Sequence, residues 1–106
     1  MTDRSVRSSN GGIQVITTER GLPTALKIDA REFSRAPQDL ANEIHLLCKL
    51  SAMRAQVARR RDLARRGFSP MVIRRLNLAT DEELARTEAE FRVDYEDAPS
   101  TWMRPV

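Results

Sequence analysis

At 106 residues the chain fits one domain, and 41% hydrophobic against 31% charged residues is a globular balance, not the low-hydrophobicity, high-charge signature of disorder. One cysteine, Cys48, excludes an internal disulfide, and His45 as the only histidine leaves no Cys/His set at metal-ligand spacing. No stretch approaches the roughly 18 apolar residues needed to span a bilayer, and Met1 to Asn10 holds no apolar signal-like run, so the expectation is a cytoplasmic chain in a reducing compartment, without membrane span, cofactor or small-molecule substrate.

Residues 1–10 read as a flexible arm, in which Ser5 to Ser9 can add an edge strand, and Gly11-Gly12 permits a tight bend. Ile13, Val15 and Thr17 alternate with Gln14, Ile16 and Thr18 in a β-branched run typical of a strand, Ile16 being the exception to strict alternation. Ala25 to Ala30 repeats the pattern, with Leu26, Ile28 and Ala30 on one face. Gly21 between the runs predicts a hairpin, and Pro23 belongs at the start of the second strand, where its missing N–H matters least. A two-stranded hairpin is marginal alone, so its apolar face needs a helix or another sheet.

A long helix is expected from about 37 to 66. Pro37 suits its first turn, Asp39 and Glu43 suit the positive end of its dipole, and arginines 59–61 and 65–66 suit the negative end before Gly67. Leu40, Ile44, Leu47, Cys48, Ser51, Ala55 and Ala58 form one stripe that can lie on the sheet. Leu46, Leu50, Met53 and Val57 form a second stripe turned away from the first, a candidate helix interface that a second helix, from this chain or a partner, should cover. Ser69-Pro70 begins a short helix containing Val72, Ile73 and Leu76, and Thr80 with Glu83 makes a capping box for another to about 94, with Leu84, Thr87, Phe91 and Tyr95 near one face. Both can cover the second stripe. The expected fold class is α+β: a small antiparallel sheet packed on a long central helix, followed by two shorter C-terminal helices, as a single domain over 11–97 with an irregular tail over 98–106.

Catalysis needs convergent groups, and the chain offers few. His45 and Cys48 stand three residues apart on the long helix, so a thiol–imidazole pair is conceivable, but Cys48 lies among Ile44, Leu47 and Ser51 as a small core residue. The carboxylates of 81–97 have no accompanying nucleophile or metal ligand, and the glycines match turns and a helix stop instead of a phosphate cradle. A non-enzymatic role follows as the expectation. The strongest surface feature is electrostatic: from Arg54 to Arg75 there are eight arginines against one acid, Asp62 (net +7), and from Asp81 to Asp97 eight acids against two arginines (net −6). Arg54, Arg59, Arg60, Arg61, Arg65 and Arg66 are therefore the candidate binding residues, for an acidic protein or for the phosphates of duplex DNA. The competing reading is structural, with the acidic helix folding back on the arginines within one chain or between subunits.

Val6 to Phe33, reading VRSSNGGIQVITTERGLPTALKIDAREF and followed by a long helix, resembles the sheet and second helix of the YbaB/EbfC nucleoid-associated proteins. That resemblance implies a YbaB-like fold, a homodimer and DNA binding. A closer similarity is to the mycobacterial ESX (type VII) secretion-associated EspD/EspH-like family. It is carried by Leu40, Ala41, Glu43 and Ile44, by Leu50, Ser51, Arg54 and Ala55, and by Leu76, Leu78, Thr80, Glu82, Glu83, Glu88, Ala89, Glu90 and Tyr95, in the same order over roughly residues 13–97. It implies a non-enzymatic accessory or chaperone-like protein with a secretion-associated protein partner. The chain has no Trp-x-Gly turn, and Pro99 stands four residues after Tyr95 where the export signal of that system requires an acid, so a cytoplasmic helper is expected in preference to an exported substrate.

Overall fold

Alternation in the first β-branched run sets the sheet. Strand β2 (Ile13–Thr17) buries Ile13, Val15 and Thr17 on one face and leaves Gln14 and Ile16 half-buried on the other. The computed structural model describes residues 5–96, an α+β fold in which β2 is the centre of a three-stranded antiparallel sheet, between β1 (Val6–Arg7) and β3 (Pro23–Ile28).

Strand β1 (Val6–Arg7) falls inside the segment expected to be a flexible arm. Val6 pairs with Val15 and Arg7 with Gln14, and Val6 is buried. The polar composition that suggested mobility is turn chemistry. Asn10 Oδ1 accepts from the Gly12 N–H and from the Ser8 hydroxyl, each at 2.9 Å, and Ser8 Oγ accepts from the Ile13 N–H at 3.1 Å. Serine and asparagine side chains here close the β1–β2 hairpin by substituting for backbone partners. Of the expected arm and tail, residues 1–4 and 98–106 lie outside the described residues.

Strand β3 (Pro23–Ile28) starts at Pro23 as expected and pairs with β2, with Ile13 opposite Ile28 and Val15 opposite Leu26, and an irregularity between Ile16 and Thr17. Leu26 and Ile28 thus share the face of Val15 and Ile13. The expected third member, Ala30, instead opens a 3₁₀ helix (Ala30–Ser34), capped by Asp29, whose Oδ1 accepts from the Arg31 N–H at 3.0 Å. Glu32 in this turn is buried with partners: it accepts from Asn10 Nδ2 at 3.1 Å and from Arg35 Nη1 at 3.0 Å, and Arg35 also reaches Glu43. That network ties the β1–β2 hairpin to the start of the long helix. Gly12 is required beside it, because a Cβ at that position would run into the Glu32 carboxylate.

Helix α1 (Pro37–Arg65) has proline at its first position. It ends in a paired closure, Gly67 N–H to the Ala64 carbonyl and Phe68 N–H to the Leu63 carbonyl, both at 3.1 Å. That motif needs a left-handed residue after the cap, supplied by Gly67 at φ 93°. Leu40, Leu47 and Leu50 pack with Val6, Ile13 and Val15 as the core, joined by the half-buried Ile44 and Cys48. Ser51 completes this face through the Thr17 N–H at 3.1 Å and the Thr17 hydroxyl at 2.9 Å, both buried. The stripe ends at Ala55, and Ala58 is exposed.

Two further helices return along α1. Helix α2 (Pro70–Arg75) is capped by Ser69, and α3 (Asp81–Glu96) by the expected reciprocal box, with Glu83 N–H to Thr80 Oγ1 and Thr80 N–H to Glu83 Oε1 at 3.1 Å each. Helix α3 packs on α1, bringing Leu84 and Phe91 against the core and burying Thr87. Leu50 of the second stripe, expected to turn away from the sheet, instead joins the sheet-side core, and α3 of this same chain packs Leu84 and Phe91 against that core. Leu50 and Val57 are buried, while Leu46 and Met53 are half-buried.

Candidate protein-binding surface

Five of the six candidate arginines lie along the C-terminal half of α1 and Arg66 is its C-terminal cap, and the fold divides the six among four uses. Arg54 donates from Nε and Nη2 to Glu88 Oε2 at 3.1 and 2.7 Å, and Arg61 Nη2 lies 2.5 Å from Asp81 Oδ1, so both are paired with α3. Arg60 Nε donates to the carbonyls of Leu78 and Ala79 at 3.2 and 3.1 Å, holding the segment that enters α3. Arg59 reaches Glu19 of the β2–β3 turn at 3.2 Å, and Arg65 and Arg66 both turn to Asp62 on their own helix, at 3.3 and 3.0 Å.

Each exposed pair contributes only about 0.2–1 kcal/mol. Their main effect is on the field: four acids, Glu19, Asp62, Asp81 and Glu88, set among the six arginines reduce the concentrated positive charge that a phosphate backbone would meet. Gln56 reinforces the arrangement without charge, donating to the Glu19 carbonyl and accepting from the Ala79 N–H, both at 2.7 Å. The acidic helix does fold back within one chain: Arg54, Arg60 and Arg61 hold it and the segment that enters it, Arg59 holds the β2–β3 turn, and Arg65 and Arg66 turn to Asp62 beside them.

A different surface stands clear at the end of the molecule where α1 stops. Phe68, Met71, Val72 and Leu76 are all exposed, Met71 by 65%. Of the short helix expected to cover the second stripe, only Ile73 is buried. The reason is angular. Apolar residues at 71, 72, 73 and 76 span more than half the circumference of a helix under two turns long, and only one side of it can lie on α1. This breadth was visible in the sequence, and it marks the residues that the charge pattern overlooked. Between Leu63 and Thr80 there are four arginines and no acid. Arg74 and Arg75, on α2 itself, have no ion-pair partner among the described residues. A shallow groove of about 580 Å³ runs beside them, lined by Arg60, Arg61, Phe68, Ile73, Arg74 and Asp81.

The remaining chemical candidate is not activated. His45 is exposed and Cys48 half-buried, and burial pushes the Cys48 thiol up, away from the thiolate a nucleophile needs. Among the described residues no group of three or more His, Cys, Asp or Glu side chains gathers as a metal site, and no helix is long and apolar enough to cross a membrane. Comparison of the chain with protein-family models, with curated proteins and with solved structures gives no significant match.

Proposed function

We propose that this chain is a non-enzymatic binding protein, a cytoplasmic accessory or chaperone-like factor of the ESX (type VII) secretion-associated kind, which receives an acidic amphipathic segment of a protein partner on the α2 end. The observation that carries the reading is the conjunction of Phe68, Met71, Val72 and Leu76 exposed together with Arg74 and Arg75, which have no ion-pair partner among the described residues, while Arg54, Arg59 and Arg61 of α1 are paired with acids of the same chain and Arg60 with backbone carbonyls. An apolar patch flanked by the cations Arg74 and Arg75 suits an amphipathic helix whose polar face carries the opposite sign, since the apolar contacts supply affinity and the charges select and orient. The likeness of residues 40–55 and 76–95 to the EspD/EspH-like family supplies the secretion context.

The test is co-purification from native cells with the tagged full chain, alongside two variants, Met71→Asp with Val72→Asp and Arg74→Glu with Arg75→Glu. A partner retained by the unmodified chain and lost by both variants is expected. Retention by both variants, or no stable partner under gentle conditions, refutes the reading. Titration with random duplex DNA at two salt concentrations separates the nucleoid-associated alternative, which requires binding that falls steeply with salt. Absence of binding at low salt removes it.

A further inference from the structure

Of the three asparagines in the chain, Asn42 precedes Glu43 and Asn77 precedes Leu78, whereas Asn10 precedes Gly11. An Asn-Gly step can modify itself. The glycine nitrogen, unhindered because its residue has no Cβ, loses its proton and attacks the asparagine Cγ. The bond from Cγ to the side-chain nitrogen breaks and ammonia leaves. Water then opens the resulting five-membered imide at either carbonyl, giving aspartate or isoaspartate. Water is the sole co-reactant, and both Asn10 and Gly11 are exposed to it.

The fold withholds both reacting atoms by hydrogen bonding, not by burial. The Gly11 N–H donates to the Ser8 carbonyl at 2.9 Å, which ties up the nucleophile. The Asn10 amide is held at both ends: Oδ1 accepts from the Gly12 N–H and the Ser8 hydroxyl, and Nδ2 donates to Glu32 Oε2 at 3.1 Å, so Cγ cannot swing onto the Gly11 nitrogen. The donors on Oδ1 alone would activate the carbon; the withheld nitrogen decides the outcome.

We infer that Asn10 is a deamidation site that the native fold keeps closed and whose product the native fold rejects. Aspartate at position 10 sets a carboxylate oxygen where Nδ2 now meets Glu32, a residue only 3% exposed. Arg35 is already shared between Glu32 and Glu43, so two like charges meet at short range beside one committed cation. Isoaspartate adds a methylene to the main chain inside the β1–β2 turn and draws the Gly12 N–H off its partner. Modification therefore gathers in chains that have lost the hairpin and prevents them from rebuilding it, a one-way chemical record of unfolding. The site shares no residue with the α2 end and stands apart from the proposed function.

Two measurements on the full chain test the two halves. In mildly alkaline buffer, with and without urea, peptide mapping by mass spectrometry follows conversion at Asn10. The folded chain should react about tenfold more slowly or less, since reaction waits on local opening of the turn. Equal rates overturn the protection. For the product, the thermal midpoint should fall in Asn10→Asp and recover when Glu32→Gln is added, because glutamine keeps an oxygen for Arg35 and offers Nε2 hydrogens to the new carboxylate. An unchanged midpoint in Asn10→Asp, or a loss that Glu32→Gln does not recover, overturns the rejection.

Discussion

Val15 and Leu26 face each other across the β2–β3 ladder on the same side of the sheet, yet Val15 is fully buried and Leu26 is half open to solvent. Their strands carry the same alternating pattern, so pattern alone does not separate them. What separates them is the path of α1, whose Leu40, Leu47 and Leu50 reach β1 and β2 and stop short of β3. Periodicity reports that a strand has an apolar face; it does not report whether the covering element is wide enough to reach it. The same lesson recurs at α2, where Ile73 is buried and its neighbours Met71 and Val72 are not.

The largest effect that sharpens this contrast comes from the covered side. Leu47→Ala removes a fully buried side chain from a six-residue core and should cost about 2–5 kcal/mol in chemical denaturation. Leu26→Ala, measured in the same way, should change stability by less than about 0.5 kcal/mol. Equal losses would show that β3 is covered in solution.

Next comes the junction of β2 and α1. Where the ladder becomes irregular at Thr17, Ser51 accepts the Thr17 N–H and hydroxyl. Ser51→Ala leaves a buried N–H without a partner and should cost about 1–3 kcal/mol, visible as a lower thermal midpoint. Gly12→Ala should cost a similar amount, about 1–3 kcal/mol, because its Cβ forces the Glu32 carboxylate out of its place against Arg35. Replacing Glu32 by Gln in the same chain should not restore the loss, since the clash is with side-chain atoms that glutamine keeps.

The smallest effect is at the start of α3. The Glu83 carboxyl is held below the usual glutamate range, chiefly by the hydrogen bond from the Thr80 backbone, with the Thr80 hydroxyl next. A carboxyl whose folded pKa is depressed contributes stability above its unfolded pKa and loses it as pH falls through the folded pKa. The stability gap between the unmodified chain and Glu83→Ala should therefore be present at neutral pH and close as the solution is acidified through the carboxylate range. A gap that is independent of pH would mean that the box does not act through the ionised carboxylate.

By itself the sequence determined the elements whose signals are local. Gly67, Ser69 and the Thr80–Glu83 box mark helix ends through hydrogen bonds made within a few residues, and Pro37 and Pro70 mark helix starts through a fixed φ and a missing donor that the first turn does not need. Gly21 and Pro23 likewise place the hairpin. The Ser8–Asn10–Gly12 turn is just as local, but its composition also resembles that of a mobile arm. Only the pairing of Val6 with Val15 distinguishes the two. Tertiary structure alone decided which arginines meet which acids. Arg54 and Glu88 are 34 residues apart and Arg59 and Glu19 are 40 apart. Charge counts foretold that a positive and a negative helix could neutralise each other, but the partners depend on how α3 lies along α1. It also decided that β3 and the α2 end are left open, because exposure is set by the reach of a neighbouring element and not by the residues that are left uncovered.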